Sequence, residues 1–311
     1  MSAQQKLAWL IGGIVGLLAV ASIIGAVLSW RLKPGQNRSV IDNLNERIRA
    51  WWVMIFIFVV AAVLGPPATL TLFAFASFFA LREFITLTPT RAGDHLPLFL
   101  AFFVLIPGQY LLIGMERYGT FAIFIPVYAF LLLPAIAALS GDTEEFLARQ
   151  AKIQWGLMIT IYCVSYVPAL LLLEVPEHEG VLLMFYLLLV VQLSDVFQYV
   201  FGKLFGKRKI APVVSPSKTV EGFVGGGITA VAIGAAMWWI TPFTPLQSAV
   251  VSAAIVISGF LGGLTLSAMK RSLGAKDWGV MIEGHGGMLD RLDSVAFSAP
   301  LFFHITRFWL G

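Results

Sequence analysis

The chain has 311 residues, of which 59% are hydrophobic and 12% charged, and its net charge is only +4. A soluble domain carries about 25% charged residues, so this composition excludes an ordinary water-soluble domain and points to an integral membrane protein. Disorder, a disulfide scaffold and a secreted enzyme are excluded on the same grounds. The single cysteine, Cys163, lies in an apolar run and reads as a small buried hydrophobe.

A helix needs about 20 apolar residues to cross the hydrocarbon core. In chain order, the hydropathy predicts spans near 7–30, 51–64, 68–87, 96–114, 120–139, 153–173, 180–200, 222–241, 248–269 and 295–310. The first is too long for a signal-peptide core and reads as a retained anchor. Pro66 and Pro67 separate the short second span from the third. Residues 31–50 form a polar connector with Val40, Ile41, Leu44 and Ile48 at helical spacing, which predicts an amphipathic helix on the membrane surface. The expected fold is all-α and polytopic, with about ten transmembrane helices. Residues 1–180 form an N-terminal membrane region that includes the connector, and residues 181–311 a second region richer in polar motifs. There is no internal repeat.

Alternate loops hold 18 of the 21 basic residues; only Lys6, Arg117 and Arg307 fall on the other side. The positive-inside rule then places the basic loops in the cytoplasm and both termini outside it. Lys207, Arg208 and Lys209 read as contacts for anionic headgroups rather than for nucleic acid. Arg82 and Glu83 read as an ion pair at a helix end. His95, His178 and His304 lie at no metal-ligand spacing.

Two polar stretches stand out, both in basic loops. One runs from Ser194 and Asp195 through a basic run to Ser215, Lys218, Thr219, Glu221 and Gly222. The other runs from Ser267, Lys270 and Arg271 through Lys276, Asp277 and Glu283 to His285, Gly286, Gly287, Asp290, Arg291 and Asp293. Asp195 lies near the end of an apolar span, where a lone charge is costly. Asp290 and Asp293, three apart, share one face of a helix. Two carboxylates on one face repel unless a cation sits between them, and Mg²⁺ completed by substrate phosphates suits them. Lys218, Lys270, Arg271, Lys276 and Arg291 would hold phosphates, and the loop glycines let backbone N–H groups approach an anion. Plainer readings stand beside these. Asp290 and Asp293 could be ordinary juxtamembrane charge, His285 a turn residue, Glu283 a solvated loop side chain, and Glu221 a helix cap or a counterion to Lys218.

The stretch Ser267 to Asp293 resembles the C-terminal signature of the phosphatidate cytidylyltransferase family, also called CDP-diacylglycerol synthases. That signature runs Ser-x-hydrophobic-Lys-Arg, four residues, Lys-Asp, then His-Gly-Gly, two residues, Asp-Arg-hydrophobic-Asp. Ser215-Pro216-Ser217-Lys218-Thr219-Val220-Glu221-Gly222 is similar to a second family motif. Two departures border the presumed site. Glu283 stands where the family has Pro, and Phe197 and Gln198 replace small residues in the motif after Ser194-Asp195.

The resemblance implies a nucleotidyltransferase of phospholipid biosynthesis that transfers a cytidylyl group from CTP to phosphatidate, giving CDP-diacylglycerol and pyrophosphate. It implies metal binding by Asp290, Asp293 and Asp277, with Asp195 as a further candidate, and catalytic roles for Lys218 and Arg291. Substrate contacts would come from Ser215, Lys218, Thr219, Glu221, Ser267, Lys270, Arg271 and Lys276, with His285, Gly286 and Gly287 shaping the triphosphate loop. Mg²⁺ is the implied cofactor, and a second, monovalent cation fits the same cluster. Membrane lipids surround the chain and the resemblance implies a homodimer, while the compact loops and the absence of organelle-targeting features point to a bacterial inner membrane with the site facing the cytoplasm. Two alternatives stay open: a paralogue acting on another lipid phosphate, and an anionic-lipid transporter.

Overall fold

The computed structural model describes residues 2–31, 39–175, 180–281 and 286–310. Its helices are α1 (Ala3–Arg31), α2 (Ser39–Leu64), α3 (Pro66–Leu87), α4 (Ala92–Gly114), α5 (Tyr118–Ala138), α6 (Phe146–Leu172), α7 (Gly180–Phe205), α8 (Val220–Ile240), α9 (Pro245–Ser272) and α10 (Leu289–Leu310). Among the described residues, nine helices are long and apolar enough to cross a membrane. The expected tenth, α10, is 22 residues long, but its first turns carry Asp290, Arg291 and Asp293. The chain is therefore an all-α integral membrane protein.

The connector differs from its expected form. Residues 39–50 are helical, but they continue without a break into the second span as α2. The apolar spacing that suggested a surface helix is the polar end of a longer helix. Here α2 packs on α1 through polar contacts: Asn45 donates to the Ser29 hydroxyl at 2.8 Å, and the Trp52 indole to that of Ser22 at 3.0 Å. Proline explains the irregular turns of α4, α5 and α6. Wider π-type turns cover Ala101–Leu105, just before Pro107, Phe124–Ala129, which contains Pro126, and Met158–Cys163, upstream of Pro168. A proline lacks the N–H that regular α-geometry requires, and a local change of pitch accommodates the loss.

A single element of strand interrupts the helices. β1 (Lys209–Ala211) pairs antiparallel with β2 (Ser215–Thr219), with Lys209 opposite Thr219. Thr219 ends β2 and caps α8, its hydroxyl accepting from the Gly222 N–H at 3.1 Å. The hairpin thus links α7 directly to α8. Those two helices pack backbone to backbone: a Cβ on Gly226 would lie 2.3 Å from the Gln198 nitrogen. The buried Tyr186 hydroxyl ties three helices together, accepting from or donating to Ser252 at 2.7 Å and donating to the Gly234 and Ser248 carbonyls.

The apolar core is continuous from α3 to α10. One ionic cluster is sealed into its edge, where α4 and α6 begin. Arg149 (3% exposed) meets Asp94 (0% exposed) at 2.9 Å and also lies 3.5 Å from Asp142. Gln150 donates to the second oxygen of Asp94 at 3.0 Å, and Arg91 bridges Asp142 and Glu144. Every oxygen of the buried carboxylate faces a donor, as burial of a charge demands.

Candidate active site

The polar residues of the two sequence stretches converge where the middle of α7 faces the last turns of α9, the start of α10 and β2. Asp195 comes from α7, Lys218 from β2, Lys270 from α9, and Asp290, Arg291 and Asp293 from α10. Close helix packing makes this convergence possible. A Cβ on Gly262 would lie 2.7 Å from the Asp293 carbonyl, so α9 and α10 approach as only glycine allows. On the next residue, Gly263, a Cβ would sit 3.0 Å from the Lys218 ammonium. The space left by that missing side chain holds the lysine head.

Lys218 also lies over the Phe260 ring, 4.6 Å from its centroid. Burial lowers its pKa from the usual lysine value, and the nearby Asp195 and Asp293 pull the other way. Asp195 lies in the field of Asp293, Lys218 and Arg291, with the Ser294 hydroxyl beside its carboxylate. Asp293 accepts from the Ser294 N–H through Oδ1. The Arg291 Nε is buried and has no hydrogen-bond partner among the described residues, and Arg47 of α2 is in electrostatic reach of the same guanidinium.

The two α10 carboxylates share a helix face but have different partners. Asp290 Oδ1 accepts from Lys270 Nζ at 2.6 Å, and Oδ2 accepts from the backbone N–H groups of Trp278 and Gly287 at 2.8 and 2.9 Å. Its oxygens are committed to holding a lysine and both ends of a loop. Asp195 and Asp293 are the pair positioned beside Lys218. No group of three or more His, Cys, Asp or Glu converges at metal-ligand spacing among the described residues.

The remaining candidates separate by environment. Arg271 is exposed in the last turn of α9, and Lys276 and Asp277 are exposed on the segment after it, Asp277 one residue before the anchored Trp278. Ser267 donates back to the Gly263 carbonyl of its own helix at 2.6 Å. Ser215 is buried in β2 and Thr219 serves as the α8 cap. Glu221 accepts from the backbone N–H groups of Lys207 and Arg208 and from the Arg208 Nε, so it ties the basic loop to α8. Gly286 has φ of +81°, a left-handed conformation that favours glycine, and the Gly287 N–H is taken by Asp290. His285 and Glu283 lie outside the described residues.

Sequence reasoning missed Glu83. It is not paired with Arg82, which is exposed; its two oxygens accept from the Met288 and Leu289 N–H groups at 2.8 and 2.9 Å, at the start of α10. Adjacent residues on a helix project about 100° apart and do not face each other, and that was the available signal against the Arg82 pairing. The next residue, Phe84, stacks on Trp278 with ring centroids 5.2 Å apart.

An uncharacterized protein of Escherichia coli K12, YnbB, is 39% identical over 299 residues, covering 95% of this chain and 96% of that one. A phosphatidate cytidylyltransferase of Staphylococcus aureus strain COL is 33% identical over 209 residues, 64% of this chain and 78% of its own. One from Staphylococcus saprophyticus is 39% identical over 157 residues, 49% of this chain and 60% of its own. The cytidylyltransferase family model matches residues 45–309, from the polar end of α2 through to the end of α10, and the chain belongs to the cytidylyltransferase family.

Proposed function

We propose that this protein transfers the cytidylyl group of CTP to the phosphate of phosphatidate at the cytoplasmic face of a bacterial inner membrane. The observation that carries this reading is the grouping of Asp195 and Asp293 with Lys218 and with the Arg291 Nε, which has no hydrogen-bond partner among the described residues. A lipid phosphate and a nucleotide phosphate can both reach such a place, one from the membrane and one from water. The staphylococcal relatives carry the matching name.

In the reaction, an oxygen of the lipid phosphate forms a bond to the α-phosphorus of CTP. The bond from that phosphorus to the bridging oxygen breaks, and pyrophosphate leaves with the electron pair. The nucleophile is already an anion, so no general base is required. The barrier is repulsion between two polyanions together with charge gathering on the leaving group, which fixed cations lower. Lys218 is held in place by Phe260 and by the gap at Gly263, and it donates to a phosphate oxygen. Arg291 offers its unpartnered Nε to a second. Lys270 offsets the charge of Asp290, so that carboxylate adds little repulsion against the incoming phosphates.

Asp195 and Asp293 fit a Mg²⁺ ion. They are two carboxylates on facing helices, and Mg²⁺ is usually held by one or two carboxylates plus substrate phosphates. When bound, the ion would supply neutralisation of the triphosphate charge. Asp277, exposed at the rim, is a further carboxylate on the same side of the site.

A second lipid phosphate as acceptor is favoured by one detail. Gln198 donates to the Ser194 hydroxyl at 2.7 Å, one turn along α7 and next to Asp195, where the family motif has small residues. The test is purified protein with radiolabelled CTP, Mg²⁺ and a panel of lipid phosphates. Label should appear in a chloroform-soluble product with phosphatidate. Product only with a different lipid phosphate would move the reading to the paralogue, and no product with any would overturn it.

A further inference from the structure

Glu83 lies on α3, 205 residues from the helix it contacts, and belongs to neither sequence motif. Its carboxylate nevertheless meets the polar site at four points. It accepts from the N–H groups of Met288 and Leu289. It also fills the space where a Cβ of Gly279 or Gly287 would stand, at 2.7 and 2.3 Å respectively. Both glycines lie in the segment that joins α9 to α10, Gly287 two residues before α10 begins. Phe84 adds a third hold through its stack on Trp278, which is 2% exposed.

We propose that Glu83 is a positioning residue of the active site, setting the start of α10 and hence the placement of Arg291 and Asp293. The inference rests on the transferase reading above only for what that placement serves. Its physical basis is independent. The first N–H groups of a helix have no intrahelical partner, and a carboxylate satisfies them while its charge complements the helix dipole. Three successive N–H groups, of Gly287, Met288 and Leu289, are divided between two carboxylates, Asp290 and Glu83. One carboxylate is local to α10; the other is fixed to α3. The helix start is therefore referenced to the N-terminal half of the protein. Arg291 and Asp293 follow within one turn, so a rotation or slide of that turn moves both.

The test is Glu83→Gln, with Glu83→Asp as the milder variant. Gln keeps the length but offers one acceptor for two donors. Asp keeps both acceptors but falls one methylene short. Hydrogen exchange followed by mass spectrometry reads the clamp directly and does not depend on activity. In Glu83→Gln, exchange across 286–292 should rise roughly ten- to a hundredfold, as expected for loss of a buried bond to a charged acceptor. Exchange in α7 should stay at the wild-type level. With the lipid phosphate that the wild type uses, kcat should fall by a similar factor and KM for CTP by much less. Glu83→Asp should lie between the two in both measurements, and it decides the matter if Glu83→Gln fails to fold. Unchanged exchange at 286–292 would overturn the proposal, and so would faster exchange with kcat intact. Equal acceleration in α7 would overturn it as well, since Glu83 would then support the whole fold. Absence of turnover in the wild type would defeat the transferase reading alone and leave the exchange result to stand for Glu83.

Discussion

Lys270 and Asp290 are joined Nζ to Oδ1 at 2.6 Å, with side chains 10% and 7% exposed. This pair fastens the end of α9 to the start of α10, and Asp290 also holds Trp278 and Gly287. Asp293, one turn on, makes no ion pair at that range with any described residue. The two aspartates should therefore fail differently. Asp290→Asn leaves a buried ammonium without its partner, which costs about 3–5 kcal/mol. Thermal unfolding in detergent should show a clear loss of stability. Asp293→Asn should keep the wild-type melting behaviour and lose turnover. Equal melting curves for the two variants would refute the division of roles.

Glycines in α8 and α9 separate the fold from the site in a second way. Gly226→Ala brings a Cβ to 2.3 Å from the Gln198 backbone nitrogen, which cannot move aside. Folded, monodisperse protein should not be recovered. Gly263→Ala crowds the tip of Lys218 at 3.0 Å, with the Ser294 hydroxyl and Asp293 Oδ2 at ordinary contact distances of 3.5 and 3.7 Å, and the flexible lysine head can shift. The variant should fold normally and lose about tenfold or more in kcat/KM, because the displaced cation is worth at least 1.4 kcal/mol to the transition state. Gel filtration and turnover on both proteins check the contrast.

Acid should loosen the junction of α5 and α6. The hydrogen bond from Arg91, then the nearby Arg149, hold the Asp142 carboxyl below its usual value of 3.8. A carboxylate depressed in the folded state contributes stability above its unfolded pKa and loses it as the pH falls through the folded one. The wild type should lose its advantage over Asp142→Asn below about pH 4. Melting temperatures of both proteins, taken at pH steps from 7 to 3, should converge at the acid end. A constant difference across that range would show that Asp142 does not titrate with folding.

Burial of the Asp94–Arg149 pair predicts a larger effect in the same region. Arg149→Leu removes the partner of a carboxylate that has no exposure, at about 3–5 kcal/mol. Low yield of folded protein or a much lower melting temperature is expected. A variant in which both Asp94 and Arg149 become apolar should recover part of the loss, and a full double-mutant cycle measures how much.

Much of this arrangement was legible from the chain. Length and hydropathy located the nine described helices that are long and apolar enough to span, because the bilayer imposes one scale on all of them, while the expected tenth begins in charged turns. The i, i+3 spacing of Asp290 and Asp293 put both on one face. What spacing alone could not show is where each carboxylate turns, since that depends on Lys270 and on Trp278 and Gly287 arriving from another element. The connector was misjudged for a local reason: the polar start of α2 has the same apolar period whether it lies on the surface or runs into the span. Glu83 was hidden by distance. Its partners are backbone N–H groups, which carry no side-chain signature.

The Asp94–Arg149 pair bears on how the chain is assembled. Asp94 opens α4 and Arg149 opens α6, so α5 and the turn after it are made between them. During synthesis, α4 is made before Arg149, when Arg91 is the cation near Asp94. A sealed, solitary carboxylate is too costly to hold, so Asp94 stays in contact with water or a proton until Arg149 emerges. The buried setting of Asp94 is therefore complete only once α6 has been made and Arg149 is in place.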